Sequence, residues 1–132
     1  VGLHYHLHQA DYWYVPIGTC RVVLHDLRVG SPTDGATQVI DIGARADGTH
    51  DHRGIFIPPG VAHGFASLTD MTITYLVDSY YNPKDELGLA YNDKAVTADW
   101  GIAKPILSER DAANPTRDAI KDQVRPFWPM RT

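Results

Sequence analysis

The chain has 132 residues, of which 43% are hydrophobic and 21% charged; that balance excludes intrinsic disorder and fits one domain, residues 1–132, that buries roughly two-thirds of its unfolded surface. A net charge of -4 and a pI near 5.9 exclude a sequence-independent nucleic-acid binder, which needs basic surface to displace counterions, while a few local arginines would still suffice for one small anionic ligand. Cys20 is the only cysteine, no apolar run approaches the roughly 20 residues that span a bilayer, and no signal-peptide pattern is visible, so a cytoplasmic protein without disulfide or membrane segment is expected, although a chain that begins at Val1 leaves room for a longer precursor.

Gly2-Leu3-His4-Tyr5-His6-Leu7-His8 opens the chain with three histidines at alternate positions. On a regular strand all three imidazoles point to one side; the plainer alternative is a solvated polar face. Residues 12–15 are aromatic and β-branched, and that strand is expected to stop at Pro16 and Gly18. In 20–27, Cys20, Val22 and Leu24 fall on one face and Arg21, Val23 and His25 on the other. A turn at 30–35, a strand over 37–42, a polar loop over 44–54 and a short buried strand at 55–57 follow. Phe65 and residues 71–77 continue the pattern, with a hairpin expected around Thr69-Asp70. After Pro83 the strand signal weakens, and residues 116–123 read as one short helix in an otherwise irregular tail. Strands of this length and spacing predict an all-β sandwich or small barrel.

Two further stretches carry chemistry. Pro58-Pro59-Gly60 is a tight turn that delivers His63 to the start of the next strand; by itself His63 is equally a hydrogen-bonded core histidine. Leu107-Ser108-Glu109-Arg110-Asp111 reads locally as a helix start with Ser108 as N-cap, and on that ground alone Asp111 is structural.

Gly2-Leu3-His4-Tyr5, Asp26-Leu27-Arg28 with Ser31-Pro32-Thr33, Ile57-Pro58-Pro59-Gly60 leading to His63-Gly64-Phe65, Tyr75, Tyr81-Asn82-Pro83, Glu86, Asn92-Asp93, Trp100 and Leu107-Ser108-Glu109-Arg110-Asp111 together resemble the dTDP-4-dehydrorhamnose 3,5-epimerases, in family order over nearly the whole chain. The resemblance implies a cupin-type jelly-roll antiparallel β-sandwich, a homodimer, and a substrate that is a nucleotide-linked 4-keto-6-deoxy sugar. It implies His4 as the base that removes the proton beside the ketone, Asp111 as its orienting partner, and Tyr75 as the proton donor, with no cofactor. Tyr81, His63 and Arg28 would contact the substrate.

The chain also departs from that pattern. Val1 stands where the family has a phosphate-contacting arginine, His6 where it has glutamine, and Asp11 where it has the lysine that stabilises the enolate oxygen. An anion at that place raises the barrier rather than lowering it. The family's N-terminal strands, with further nucleotide contacts, have no counterpart in this sequence. The changes run toward the metal-binding pattern of the broader cupins: His4-x-His6, then Asp11 and Gly18, then Pro58-x-Gly60-x-x-His63. Three imidazoles and a carboxylate suit a divalent metal without selecting one. Three readings result. One is a metal-free epimerase using His4, Asp111 and Tyr75. Another is a metal-dependent cupin enzyme ligated by His4, His6, Asp11 and His63. The third is a sugar-binding module without chemistry. An inward Asp11 favours the metal, an outward one disfavours it.

Overall fold

The computed structural model describes residues 1–121 and 124–129. The strands are β1 (His4–Tyr5), β2 (Asp11–Ile17), β3 (Thr19–Asp26), β4 (Thr37–Ala44), β5 (His50–Asp51), β6 (Ile55–Ile57), β7 (Val61–Ser67), β8 (Thr72–Val77) and β9 (Leu87–Gly88). They form an antiparallel β-sandwich of the cupin, jelly-roll kind. A six-stranded sheet runs β5-β4-β3-β7-β1-β9 and faces a three-stranded sheet, β6-β2-β8.

The alternation in β3 explains how the layers stack. Cys20 and Val22 pack between the sheets with Trp13, Val15, Ile42, Ile55, Ile57 and Val61. Val23 points the other way, into a second core with Leu3, Tyr5, Leu27 and Ala62. That outer core is closed by Leu89, Val96 and Ile120, with Trp100 against it. The weakly patterned segment after Pro83 thus covers the back of the large sheet, and side chains rather than regular elements anchor it. Arg117 is one such anchor, donating to His25 Nε2 (2.9 Å), to the Asp26 carbonyl and to Asp34.

Four expectations are corrected. The strand at 12–15 runs on through Pro16, because the β2–β8 register shifts between Tyr14 and Ile17 and a residue without an N–H is tolerated at such an irregularity. The loop over 44–54 contains β5, paired to the end of β4. Residues 67–72 are no hairpin: β7 pairs with β3 and β1, β8 with β2, so this link crosses from one sheet to the other. The predicted helix over 116–123 is a single 3-10 turn at Arg117–Ala119, and residues 122 and 123 lie outside the described residues.

The β2–β3 link crosses between sheets at the same end, through Gly18 at φ 81°. A side chain there would collide with the Asp70 carbonyl and with Met71, so the two crossings touch backbone to backbone. Thr19 N–H donates to Thr69 Oγ1 (2.9 Å) and Leu68 N–H to the Thr19 carbonyl (3.0 Å), which ties them together.

Candidate active site

A cavity of about 500 Å³ opens between the sheets, lined by His4, His6, Asp11, His63, Tyr75 and Tyr81 among others. Its floor is set by strand register. β1 lies between β7 and β9, with His4 directly opposite His63 and Gly88. The glycines beside these histidines allow that approach: a Cβ on Gly2 would strike Gly64 Cα, and one on Gly64 would strike the Val1 carbonyl. The turn at 58–60 donates the Gly60 N–H to the His6 carbonyl (2.7 Å) and so fixes the entry to β7 against the end of β1.

Asp111, from the four-residue helix α1 (Glu109–Ala112), is buried. Its Oδ1 lies 2.6 Å from His4 Nε2, and its Oδ2 accepts the Gly2 N–H at 3.1 Å. Ser108 Oγ accepts the Asp111 N–H and holds the turn. Burial alone would raise the Asp111 carboxyl; the hydrogen bonds from His4 and Gly2 outweigh it, and its pKa lies below the ordinary value. A carboxylate there places the His4 proton on Nε2 and leaves Nδ1 to accept one.

His6, Asp11 and His63 form a second group. Alternation along β2 turns Asp11, Trp13 and Val15 inward, so Asp11 is buried beside the histidines rather than outward. His6 Nδ1 donates to the Asp85 carbonyl (2.7 Å) and His63 Nδ1 to the Val61 carbonyl (2.9 Å). His63 Nε2 lies 3.8 Å from Asp11 Oδ2, which also accepts the Trp13 indole N–H. The Trp13 ring meets His63 edge-on at 5.2 Å. Burial holds the His63 imidazole well below its usual pKa, hence neutral.

The expected site residues are not all gathered here. Tyr75 and Tyr81 face the cavity from its open side, 61% and 76% exposed. His8 does not share a face with His4 and His6: β1 ends at Tyr5, the chain bends at 7–8, and His8 is exposed. The bend is held by Asp85, whose carboxylate accepts the N–H groups of Leu7 (2.6 Å) and His8 (3.1 Å). Arg28 is absent from the cavity lining; its guanidinium is gripped by Asp26 and lies 4.6 Å from the Trp128 ring centroid. Of the four residues expected to hold a metal, His6, Asp11 and His63 bring donor atoms within 4.8 Å of one another, and His4 is not in that group. Sequence reasoning missed Asp85 and Trp13 as site residues. Trp13 was findable, two residues from Asp11 on one strand face. Asp85 carried no local signal, because its partners are 77 and 78 positions away.

The family model for dTDP-4-dehydrorhamnose 3,5-epimerase matches residues 1–118. The chain belongs to this family. Among curated relatives it is 39% identical over 103 residues to the spore coat polysaccharide biosynthesis protein SpsL of Bacillus subtilis, covering 75% of this chain and 65% of that protein. Among solved structures, a 4-keto-6-deoxy sugar epimerase from the novobiocin cluster of Streptomyces spheroides superposes with a TM-score of 0.86 at 30% identity, covering 97% of this chain and 64% of that one. The dTDP-6-deoxy-D-glucose-3,5-epimerase of Legionella pneumophila, solved with dTDP-4-keto-L-rhamnose, gives 0.83 at 30% identity, covering 96% and 67%. The chain spans 59–65% of the length of the first curated relatives it matches.

Proposed function

We propose that this chain is a sugar-nucleotide epimerase or isomerase that inverts carbon next to the ketone of a nucleotide-linked 4-keto-6-deoxy sugar. The observation that carries the reading is the 2.6 Å contact of His4 with buried Asp111 at the wall of a cavity large enough for a hexose. His4 Nδ1 takes the proton from the carbon beside the ketone, and the C–H electron pair passes into an enolate. Asp111 holds the imidazole ring and balances the imidazolium that forms. Tyr75 reaches the same cavity from β8, on the opposite sheet from His4, and is placed to return a proton to the other face of the sugar. Tyr81 and His63 contact the sugar in this reading. The base step needs no organic cofactor. Arg28 serves the fold through Asp26 rather than the substrate.

The protein is proposed to act in the cytoplasm as a homodimer. Buried Cys20, a free thiol whose pKa burial pushes up to about 12, fits a reducing compartment. Among the described residues no helix is long and apolar enough to cross a membrane.

The test is incubation with a dTDP-linked 4-keto-6-deoxyhexose in deuterated water, followed by mass spectrometry. The unmodified protein should place deuterium beside the ketone, and His4→Asn should slow this by about 10²–10⁴-fold, the usual worth of a positioned base. Binding of that sugar without any exchange would replace the enzyme by a binding module.

A further inference from the structure

We infer that His6, Asp11 and His63 form a binding site for one divalent first-row transition metal, and that His4 is not among its ligands. The argument rests on where the lone pairs go. Each histidine commits its Nδ1–H to a backbone carbonyl, His6 to Asp85 (2.7 Å) and His63 to Val61 (2.9 Å). That fixes both rings in the tautomer whose Nε2 is unprotonated, and both face the Asp11 carboxylate. One donor atom from each of the three residues lies within 4.8 Å of the others, and all three residues are buried. Three acceptors pointed at one another repel unless something positive stands between them. Across the gap from His63 Nε2 to Asp11 Oδ2, 3.8 Å wide, neither group can donate. Among the described residues the donors to this group are the Gln9 amide, 2.9 Å from Asp11 Oδ1 and a long 3.4 Å from His6 Nε2, and the Trp13 indole N–H on Asp11 Oδ2; neither lies between His63 Nε2 and Asp11.

A cation about 2.0–2.2 Å from each donor fits after a closing movement of about 1 Å. Two imidazoles with one carboxylate suit Zn²⁺, Mn²⁺, Fe²⁺ or Ni²⁺ and leave coordination positions open to the cavity. Donation of each Nδ1–H to a carbonyl is the outer support that orients metal-bound histidines, and Trp13 Nε1 supplies the same to Asp11. His4 stands outside the set because the donor atoms that come within 4.8 Å of one another are those of His6, Asp11 and His63, and the His4 ring is held by Asp111 for the base role. Base and metal therefore stand side by side in one cavity. On the proposed epimerase reading, His4 takes the proton, the C–H pair becomes the enolate double bond, and the carbonyl pair moves onto an oxygen that the cation holds. No oxidation state changes. The carboxylate of Asp11, which would oppose an enolate directly, then acts on it through a cation.

The experiment needs no substrate. The protein, purified without a histidine tag and stripped with a chelator, is titrated with Zn²⁺ by calorimetry and with Co²⁺ by visible spectroscopy. One ion per chain should bind, with the Co²⁺ absorption of nitrogen and oxygen ligands. Asp11→Asn and His63→Gln should weaken Zn²⁺ by at least about 100-fold, more than loss of an outer support costs. His4→Asn should leave the affinity within about threefold. Circular dichroism verifies that each variant is folded, and the Co²⁺ spectrum of the unmodified protein stands whether or not they fold. Failure to bind one ion saturably, or loss of the ion in His4→Asn as large as in His63→Gln, overturns the site. One-to-one binding together with undiminished deuterium exchange by stripped protein overturns the Lewis-acid role alone. Binding with no exchange in either state counts against the epimerase reading and not against the metal.

Discussion

Asp111 and Asp26 are two buried carboxylates with different duties. Asp111 divides its oxygens between His4 Nε2 and the Gly2 N–H. In Asp111→Asn the amide oxygen still suits Gly2, but the NH₂ then faces His4 and favours the tautomer with its proton on Nδ1, where the base must be empty. Deuterium exchange should fall by about 10²–10⁴-fold with the thermal midpoint little changed. A midpoint collapse with exchange intact in the folded fraction would make Asp111 a structural residue only. Asp26 accepts from Arg28 Nε and Nη2, from the Arg28 N–H, and from Ser31 and Thr33 hydroxyls. Burial raises its carboxyl, yet the bonds from Arg28, Thr33 and Ser31 prevail and hold it well below the usual carboxylate range. A carboxyl depressed on folding contributes stability above its unfolded pKa of about 3.9 and loses it as pH falls toward the folded value. Asp26→Asn should therefore cost about 3 kcal/mol at pH 7 by urea unfolding, with the gap to the unmodified protein narrowing below about pH 4. A constant gap down to pH 2 would remove this assignment.

The two crossings at Gly18 and at residues 67–72 show what strand patterning can and cannot reveal. Alternation in 20–27 makes both faces of β3 legible in the sequence, since a strand with apolar residues on each side must be covered twice. It does not tell which sheet the next strand joins. Thr69-Asp70 has ordinary turn chemistry, and whether such a turn makes a hairpin or a corner depends on partners 50 or more residues away. The same holds for the histidines at 4, 6 and 8: alternation predicts three on one face, but β1 ends at Tyr5 and Asp85, remote in sequence, holds the bend at which His8 leaves that face. Gly18→Ala isolates the corner. It forces a side chain into a left-handed conformation against the Asp70 carbonyl, and should cost about 2–4 kcal/mol with an unchanged denaturant slope. A loss under about 0.5 kcal/mol would show that the crossings have room to part.

At the scale of the molecule, the three-stranded sheet leaves one face uncovered. Tyr12 is directly opposite both Phe56 and Leu76 in the strand register, and the three are 43%, 65% and 72% exposed. A contiguous apolar row on an outer sheet face, next to an edge strand with unpaired backbone, favours association. The proposed homodimer should appear by sedimentation at micromolar concentration, and Tyr12→Lys combined with Leu76→Lys should shift it to monomer with an unchanged far-ultraviolet spectrum. A monomeric unmodified chain would refute the dimer. The sandwich and the members of the His4–Asp111 pair were readable because ordered family marks cover most of the sequence. The metal-ligand trio was readable in its members but not in its count, since only the folded chain reveals that His4 stands outside the three donors that converge.

His4 and Asp111 are 107 positions apart. A ribosome releases His4 first and its partner after most of the sandwich has been made. While Asp111 is still in the exit tunnel, the nascent chain carries the imidazole with no carboxylate to orient it and no C-terminal segment over the back of β1. On the proposed epimerase reading, a translation stall ahead of residue 111 therefore yields a chain whose base lacks its orienting carboxylate. The order of synthesis thus completes the His4–Asp111 pair only after most of the sandwich strands exist.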